Sequence, residues 1–317
     1  MVESRKTTAK ANLEVFSATL QELAKDDRNI LVVTSDSRGS GKLIPFGQKF
    51  PEQHIEVGIA EQNLVGVAAG LASTGKKVFA VSPACFLSAR ALEQIKNDVA
   101  YSDNPVNLIG ISAGVSYGAL GSTHHSLHDF AVLRAINNIT VVAPADPFET
   151  EQAIRKAAAT PSPFYLRFGK KAMPLLVAEE TDFEFGKGRM IRKGKDITLI
   201  ATGETVYPAK QAAERLEAEA GLSATVISMH TIKPLDYNLL ERVATTGKPI
   251  VTIEEHSVYG GLGEACASYL LQHNFHNRFK IMGIPDEYTV TGSQTEIFNH
   301  YGLTESGILQ EALRLLE

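Results

Sequence analysis

Glu61 is the side chain in this sequence that most needs a chemical explanation. It is the sole charge in residues 57–72 (VGIAEQNLVGVAAGLA), a stretch apolar almost all round, which predicts a buried helix. A buried carboxylate is costly unless it is paired, hydrogen-bonded or protonated. Glu61 therefore has a partner or performs proton chemistry. The spacing alone fits a first-turn acid favoured by the helix dipole equally well. Gly66 and Gly70 leave a smooth stripe that another backbone could approach closely.

Three further segments carry reactive or anion-binding side chains. His124, His125 and His128 crowd residues 122–128 (STHHSLH). The four-residue step from His124 to His128 is a helical ligand spacing, but no acidic or cysteine ligand accompanies it, which disfavours zinc. His125 and His128 read as solvated or first-turn histidines without a chemical task. Arg167 ends an apolar run at 164–168 and is followed by Gly169-Lys170-Lys171. A guanidinium there suits an oxyanion, because open α/β sheets bind ligands beyond the carboxyl ends of their strands. The segment 34–42 (TSDSRGSGK) offers Asp36, Arg38 and Ser40 but is no Walker loop: its first glycine would fall at Asp36, and Lys42 is followed by Leu43. Gly261-Leu262-Gly263 lies where a dinucleotide loop would, yet position 266 is Cys. It reads as a tight turn with close packing.

The elements that must position these groups follow from alternation. Short β-branched runs predict strands at 30–34, 78–82, 106–111, 140–143 and 164–168, with helices at 11–25, 60–73, 87–101, 127–136 and 147–158. Strands separated by helices imply a mostly parallel sheet covered on both faces. The pattern pauses at 170–188, around Pro174 and an acidic run, and then resumes. Later strands are expected at 197–201, 224–228, 250–253 and 280–284, and helices at 207–219, 235–243, 262–272 and 305–316. The fold class is therefore α/β with two consecutive, mostly parallel domains, over 1–172 and 189–317, joined by a linker at 173–188.

Composition sets limits. The 317 residues are 44% apolar and 21% charged, with a net charge of −5, an ordinary globular balance with no electrostatic case for nucleic acid or an anionic membrane. Two distant cysteines, Cys85 and Cys266, form no disulfide or zinc pattern, so a reducing cytoplasmic setting is expected. The polar start, residues 1–10, shows no secretory signal, and no apolar run is long enough to span a bilayer.

Gly58-Ile59-Ala60-Glu61-Gln62-Asn63 resembles the catalytic-glutamate segment of transketolases and 1-deoxyxylulose-5-phosphate synthases. The likeness runs over nearly the whole chain: a pyrimidine-binding domain to about Lys171, and from about Phe185 a C-terminal domain that includes residues 253–263 (IEEHSVYGGLG). The resemblance implies a thiamine diphosphate enzyme. Glu61 would bond a ring nitrogen of the aminopyrimidine and favour the imino form that deprotonates the thiazolium carbon. Phe86, in a segment running through Arg90, Gln94 and Lys96, would stack on the same ring; Arg90, Gln94 and Asp36 join Glu61 and Phe86 as cofactor-binding residues. His124, in Gly121-x-Thr123-His124, would donate to the substrate's developing alkoxide. Arg167, Ser40 and Arg38 would grip the donor's anion.

Full-length relatives hold the diphosphate and its divalent metal on a separate N-terminal domain, through Gly-Asp-Gly followed by Asn. No Gly-Asp-Gly occurs here. The resemblance therefore implies the C-terminal subunit of a split transketolase, with an N-terminal partner subunit holding the diphosphate and Mg or Ca, in an α2β2 heterotetramer. Leu120, Ser112 and Leu13 stand where relatives carry an Asp, a His and a phosphate-contacting Arg. These departures point to a non-standard ketose, branched or ending in another anion such as sulfonate. Rival readings are a beta-type chain of a 2-oxo acid dehydrogenase, a 1-deoxyxylulose-5-phosphate-synthase-like enzyme, and a chain that only assembles or regulates. The third sits poorly with a retained buried acid.

Overall fold

The mostly apolar runs at 30–34, 106–111, 164–168, 197–201 and 224–228 form strands over those same residues. The computed structural model describes residues 9–177 and 182–317. Its strands, in chain order, are β1 (Lys10–Ala11), β2 (Ile30–Thr34), β3 (His54–Glu56), β4 (Lys77–Pro83), β5 (Val106–Ile111), β6 (Thr140–Val142) and β7 (Phe164–Phe168). After them come β8 (Ala172–Met173), β9 (Arg189–Arg192), β10 (Ile197–Ala201), β11 (Ala224–Ser228), β12 (Thr231–Lys233), β13 (Ile250–Ser257) and β14 (Phe279–Ile284).

Two α/β units result. The first sheet has the order β12-β6-β7-β5-β4-β2-β3 and is parallel apart from β12. The second has the order β14-β13-β10-β11-β9 and is parallel apart from its edge strand β9. Successive residues of a strand point to opposite faces. Accordingly Val32, Phe79 and Ile109 enter one apolar cluster with the Asn12–Asp26 and Pro147–Ala159 helices. Val33, Ala80 and Leu108 enter another with the Glu61–Ala72 helix and the helical run after β4. Both faces are buried, which explains why the strands read as continuous apolar runs.

Several elements depart from expectation. The helix expected over 87–101 is broken. Ala84–Arg90 is α-helical, Ala91 leaves the helical region (φ −104°, ψ 18°), and Ile95–Tyr101 is a π-helix. The helix expected at 127–136 shortens to Asp129–Arg134, because the preceding residues form the Gly114–Ser126 bridge. The expected linker contains residues 178–181, which lie outside the described residues, as do residues 1–8 of the polar start. Its beginning is not free: β8 pairs with β1 in a small antiparallel clasp. Short β12, which no run in the sequence announces, carries the second unit's chain into the first unit's sheet.

Candidate active site

The loops and helices that follow β2, β4, β5 and β7 converge at the carboxyl end of the first sheet, where such sheets bind ligands. Glu61 opens the Glu61–Ala72 helix and is only 4% exposed. Its carboxylate accepts from Arg90 Nη1 at 3.2 Å (Oε1) and 3.1 Å (Oε2). The Arg90 side chain is 50% exposed, and its guanidinium carbon lies 4.2 Å from the centroid of the Phe86 ring. Phe86 meets His124 edge to face at 5.3 Å, and His124 meets Tyr117 likewise at 5.4 Å. Lys170 Nζ lies 3.9 Å from the Tyr117 centroid. Glu61, Arg90, Phe86, His124, Tyr117 and Lys170 thus form one continuous ladder from a buried carboxylate to an exposed cation.

The second unit holds this ladder in place. Ser122 Oγ lies 3.0 Å from Thr289 Oγ1, and His125 Nδ1 lies 2.6 Å from the same oxygen, while His125 Nε2 lies 2.9 Å from Gly118 O. His125 is therefore buried and structural, not solvated, and burial lowers its pKa. His128 stands just before the Asp129–Arg134 helix, makes no side-chain capping bond to it, and has Nε2 3.2 Å from Ser88 Oγ. His124 stays half-buried, with Nδ1 3.0 Å from Thr123 Oγ1.

The loop after β2 is anchored by Glu56, a residue that no motif in the sequence singles out. Its carboxylate accepts from Asp36 N (2.7 Å), Thr34 Oγ1 (2.7 Å) and Gly58 N (2.9 Å). Burial pushes the Glu56 pKa up, but these bonds outweigh it and the net shift is downward. The interaction holds Asp36 in the left-handed region (φ 53°) and ties the loop to the lead-in of the Glu61 helix. The Asp36 and Ser40 side chains are exposed, and Ser40 Oγ donates to Ser37 O at 3.1 Å. Arg38 lies against Gly47 and His54, outside the ladder. Gln94 is half-buried on the turn that packs against the Glu61 helix, and its Oε1 accepts no hydrogen bond from the described residues.

Arg167 lies in a setting other than the one expected. Arg167 is 5% exposed: Nε pairs with Asp129 Oδ2 at 2.9 Å, and Nη2 donates to Ser126 O (3.0 Å) and Glu255 O (2.7 Å). Its guanidinium is engaged at the domain seam through Nε and Nη2. Burial raises the Asp129 pKa, but the Arg167 charge prevails and holds it below the usual carboxylate range. The cation that faces the ladder after β7 is Lys170, whose pKa is lowered by partial burial and by the neighbouring Lys42 ammonium. Leu13, which stands where relatives carry a phosphate-contacting Arg, packs in the core with Phe16. The glycine turn at 260–263 holds a carboxyl group of the chain's own: Glu254 accepts from Leu262 N (2.7 Å) and Gly263 N (2.8 Å), filling the helix N-terminus where a phosphate would sit.

Residues 9–174 match the transketolase pyrimidine binding domain and residues 186–308 the transketolase C-terminal domain. The chain belongs to the transketolase family. It is 48% identical to an apulose-4-phosphate transketolase subunit of Phocaeicola vulgatus, over 95% of this chain and 96% of that protein. It is 34% identical to the 6-deoxy-6-sulfo-D-fructose transketolase subunit SqwH of Clostridium sp., over 96% and 94%. A solved split gene transketolase, described as an inactive beta4 tetramer, superposes with a TM-score of 0.86 at 36% identity, covering 98% of this chain and 99% of that one. Like these transketolase subunits, the chain is a pyrimidine domain followed by a C-terminal domain, the layout of the C-terminal subunit of a split transketolase.

Proposed function

We propose that this chain supplies the pyrimidine half of a thiamine diphosphate site that a second subunit completes. The assembled enzyme moves a two-carbon ketol unit from an anionic ketose to an aldose. The observation that carries this reading is the nearly buried Glu61 beside the half-buried Phe86 ring, the two bridged by one planar group. The donor set fits the cofactor: a flat nitrogen heterocycle on Phe86, with a ring N–H toward Glu61, repeats contacts those side chains already make with a guanidinium. When bound, thiamine diphosphate supplies the carbon nucleophile that cleaves and carries the ketol unit.

The chain's own residues do the rest. Glu61, shielded from water, shares a proton with the ring nitrogen. Phe86 fixes the ring's plane. His124, held by the Thr289-anchored loop, donates to the substrate oxygen as charge develops on it. Lys170 and Lys42, two ammoniums facing one region, receive the donor's phosphate or sulfonate in place of Arg167. Leu120 is 55% exposed on the His124 loop, which supports a donor unlike the common ketose phosphates. The names of the two relatives, an apulose-4-phosphate transketolase and a 6-deoxy-6-sulfo-D-fructose transketolase, agree with an anionic donor outside the common ketose phosphates. The partner subunit would hold the diphosphate and a magnesium or calcium ion, in an α2β2 assembly working in the cytoplasm.

Reconstituting the chain with its diphosphate-binding partner tests the proposal. Thiamine diphosphate should bind the pair and neither subunit alone. Two-carbon transfer should occur with anionic ketoses, and 2-oxo acid decarboxylation should be absent. Decarboxylation without transfer would favour the dehydrogenase-type reading.

A further inference from the structure

The contacts of Arg90 resemble a ligand's more than a structural arginine's. Arg167 is buried and spends two nitrogens on three acceptors. Arg90 engages through Nη1 alone, and its side chain is half exposed at the end of the Ala84–Arg90 helix, where Ala91 breaks the helical path. Among the described residues nothing else holds its guanidinium except the face of Phe86. A guanidinium is planar, cationic and edged with N–H donors. Here its face lies on Phe86 and its edge on both oxygens of Glu61.

These are the two contacts the proposed function assigns to the aminopyrimidine, and the inference rests on that reading. Two flat groups cannot hold the same face and the same carboxylate at once. We propose that Arg90 is an internal stand-in for the cofactor ring: it occupies the pyrimidine's place in the free chain and swings out when the cofactor enters. The exchange replaces one stacked, N–H-donating plane with another. Glu61 is never left as a buried charge without a partner, a state that would be strongly destabilising. The stand-in has a cost. It competes from within the molecule, so apparent cofactor affinity is reduced by the fraction of chains in which the site is blocked.

The test is a double-mutant cycle on Glu61→Gln and Arg90→Met, read by thermal unfolding of the isolated subunit and of the cofactor-loaded pair, with calorimetric titration of thiamine diphosphate into the pair. In the isolated subunit Arg90→Met should lower the Tm in the native background and leave it unchanged in the Glu61→Gln background. In the loaded pair that coupling should vanish. Arg90→Met should also tighten the apparent Kd for thiamine diphosphate by about 3- to 10-fold. Arg90→Lys, which keeps the charge without the plane, secures the test if the Met variant folds poorly; it too should tighten binding. Weaker cofactor binding in both variants, or equal coupling in the free and loaded states, would overturn the proposal. A native pair that binds no thiamine diphosphate would instead refute the functional reading beneath it.

Discussion

Gly114 of the pyrimidine domain lies flat against the carboxyl group of Glu255 from the C-terminal domain, so close that a methyl group on Gly114 would overlap it. The neighbouring Val115 N donates to Glu255 Oε1 at 2.9 Å. Gly114 also sits at φ +61°. Gly114→Ala therefore meets both a steric clash at the seam and a disfavoured backbone, costing about 2–4 kcal/mol. Thermal unfolding of the purified chain checks this. A Tm within measurement error of the native value would show that the seam yields.

Gln294 Nε2 donates both to Glu204 Oε2 (2.7 Å) and to Glu255 Oε1 (2.8 Å), a buried carboxyl pair in the same seam. Burial, then the Glu255 charge, pushes the Glu204 pKa up to about 8 from an ordinary 4.5. Between those values the folded chain keeps a proton that the unfolded chain has lost. The contribution of Glu204 to stability is thus complete below about pH 4.5 and disappears as pH rises through about 8. Glu204→Gln removes this titration. The variant should lose less Tm than the native chain between pH 6 and pH 9, by on the order of 5 °C, in a pH series of melts. Parallel curves would refute the assignment.

His256 provides the opposite slope. Burial, the largest influence, takes its pKa down to about 4 from an ordinary 6.5, while it stacks on Phe130 at 4.9 Å. The unfolded chain therefore binds a proton there first. The stability from a neutral His256 is present above about pH 6.5 and is lost as pH falls toward 4. Replacing it with a neutral side chain of similar size, His256→Gln, should flatten the acid limb of the same pH series.

Glu61→Gln keeps shape and packing but removes the proton-sharing oxygen. Turnover by the reconstituted pair should fall by roughly 10²–10⁴-fold, with circular dichroism and assembly unchanged. Activity within a factor of three of native would remove Glu61 from the chemistry.

Lys170 and Arg167 separate the two candidate anion contacts. Lys170→Met should raise KM for the anionic donor by about 10-fold with kcat largely retained, as expected for loss of a binding interaction. Arg167→Met strands the buried Asp129 carboxylate and should cost about 3–5 kcal/mol of stability. The reverse pattern, a KM effect at Arg167 and none at Lys170, would restore Arg167 to the substrate.

What is legible in the sequence follows physical lines. Val32–Val33 and Phe79–Ala80 feed opposite faces of one sheet, so their strands show as apolar runs. Glu61 stands out because one charge interrupts an apolar helix. Arg167 misleads because an arginine at a strand end looks the same whether it faces solvent or a buried Asp129 that lies 38 residues away in sequence. Tyr117 and Lys170 escape notice because their place in the ladder depends on loops that only the tertiary fold brings together. The break at Ala91 leaves no mark, since alanine and leucine favour an unbroken helix. Strand β12 is three residues long and reaches β6 from far along the chain, and no local pattern announces such a pairing.

That borrowed strand has a practical consequence for engineering. Thr231–Lys233 belongs by sequence to one domain and by hydrogen bonding to the other's sheet. A chimera that trades C-terminal domains between relatives must therefore carry the strand and its recipient edge as a matched cassette. Otherwise the β6 edge is left open, and an open edge invites intermolecular pairing and aggregation.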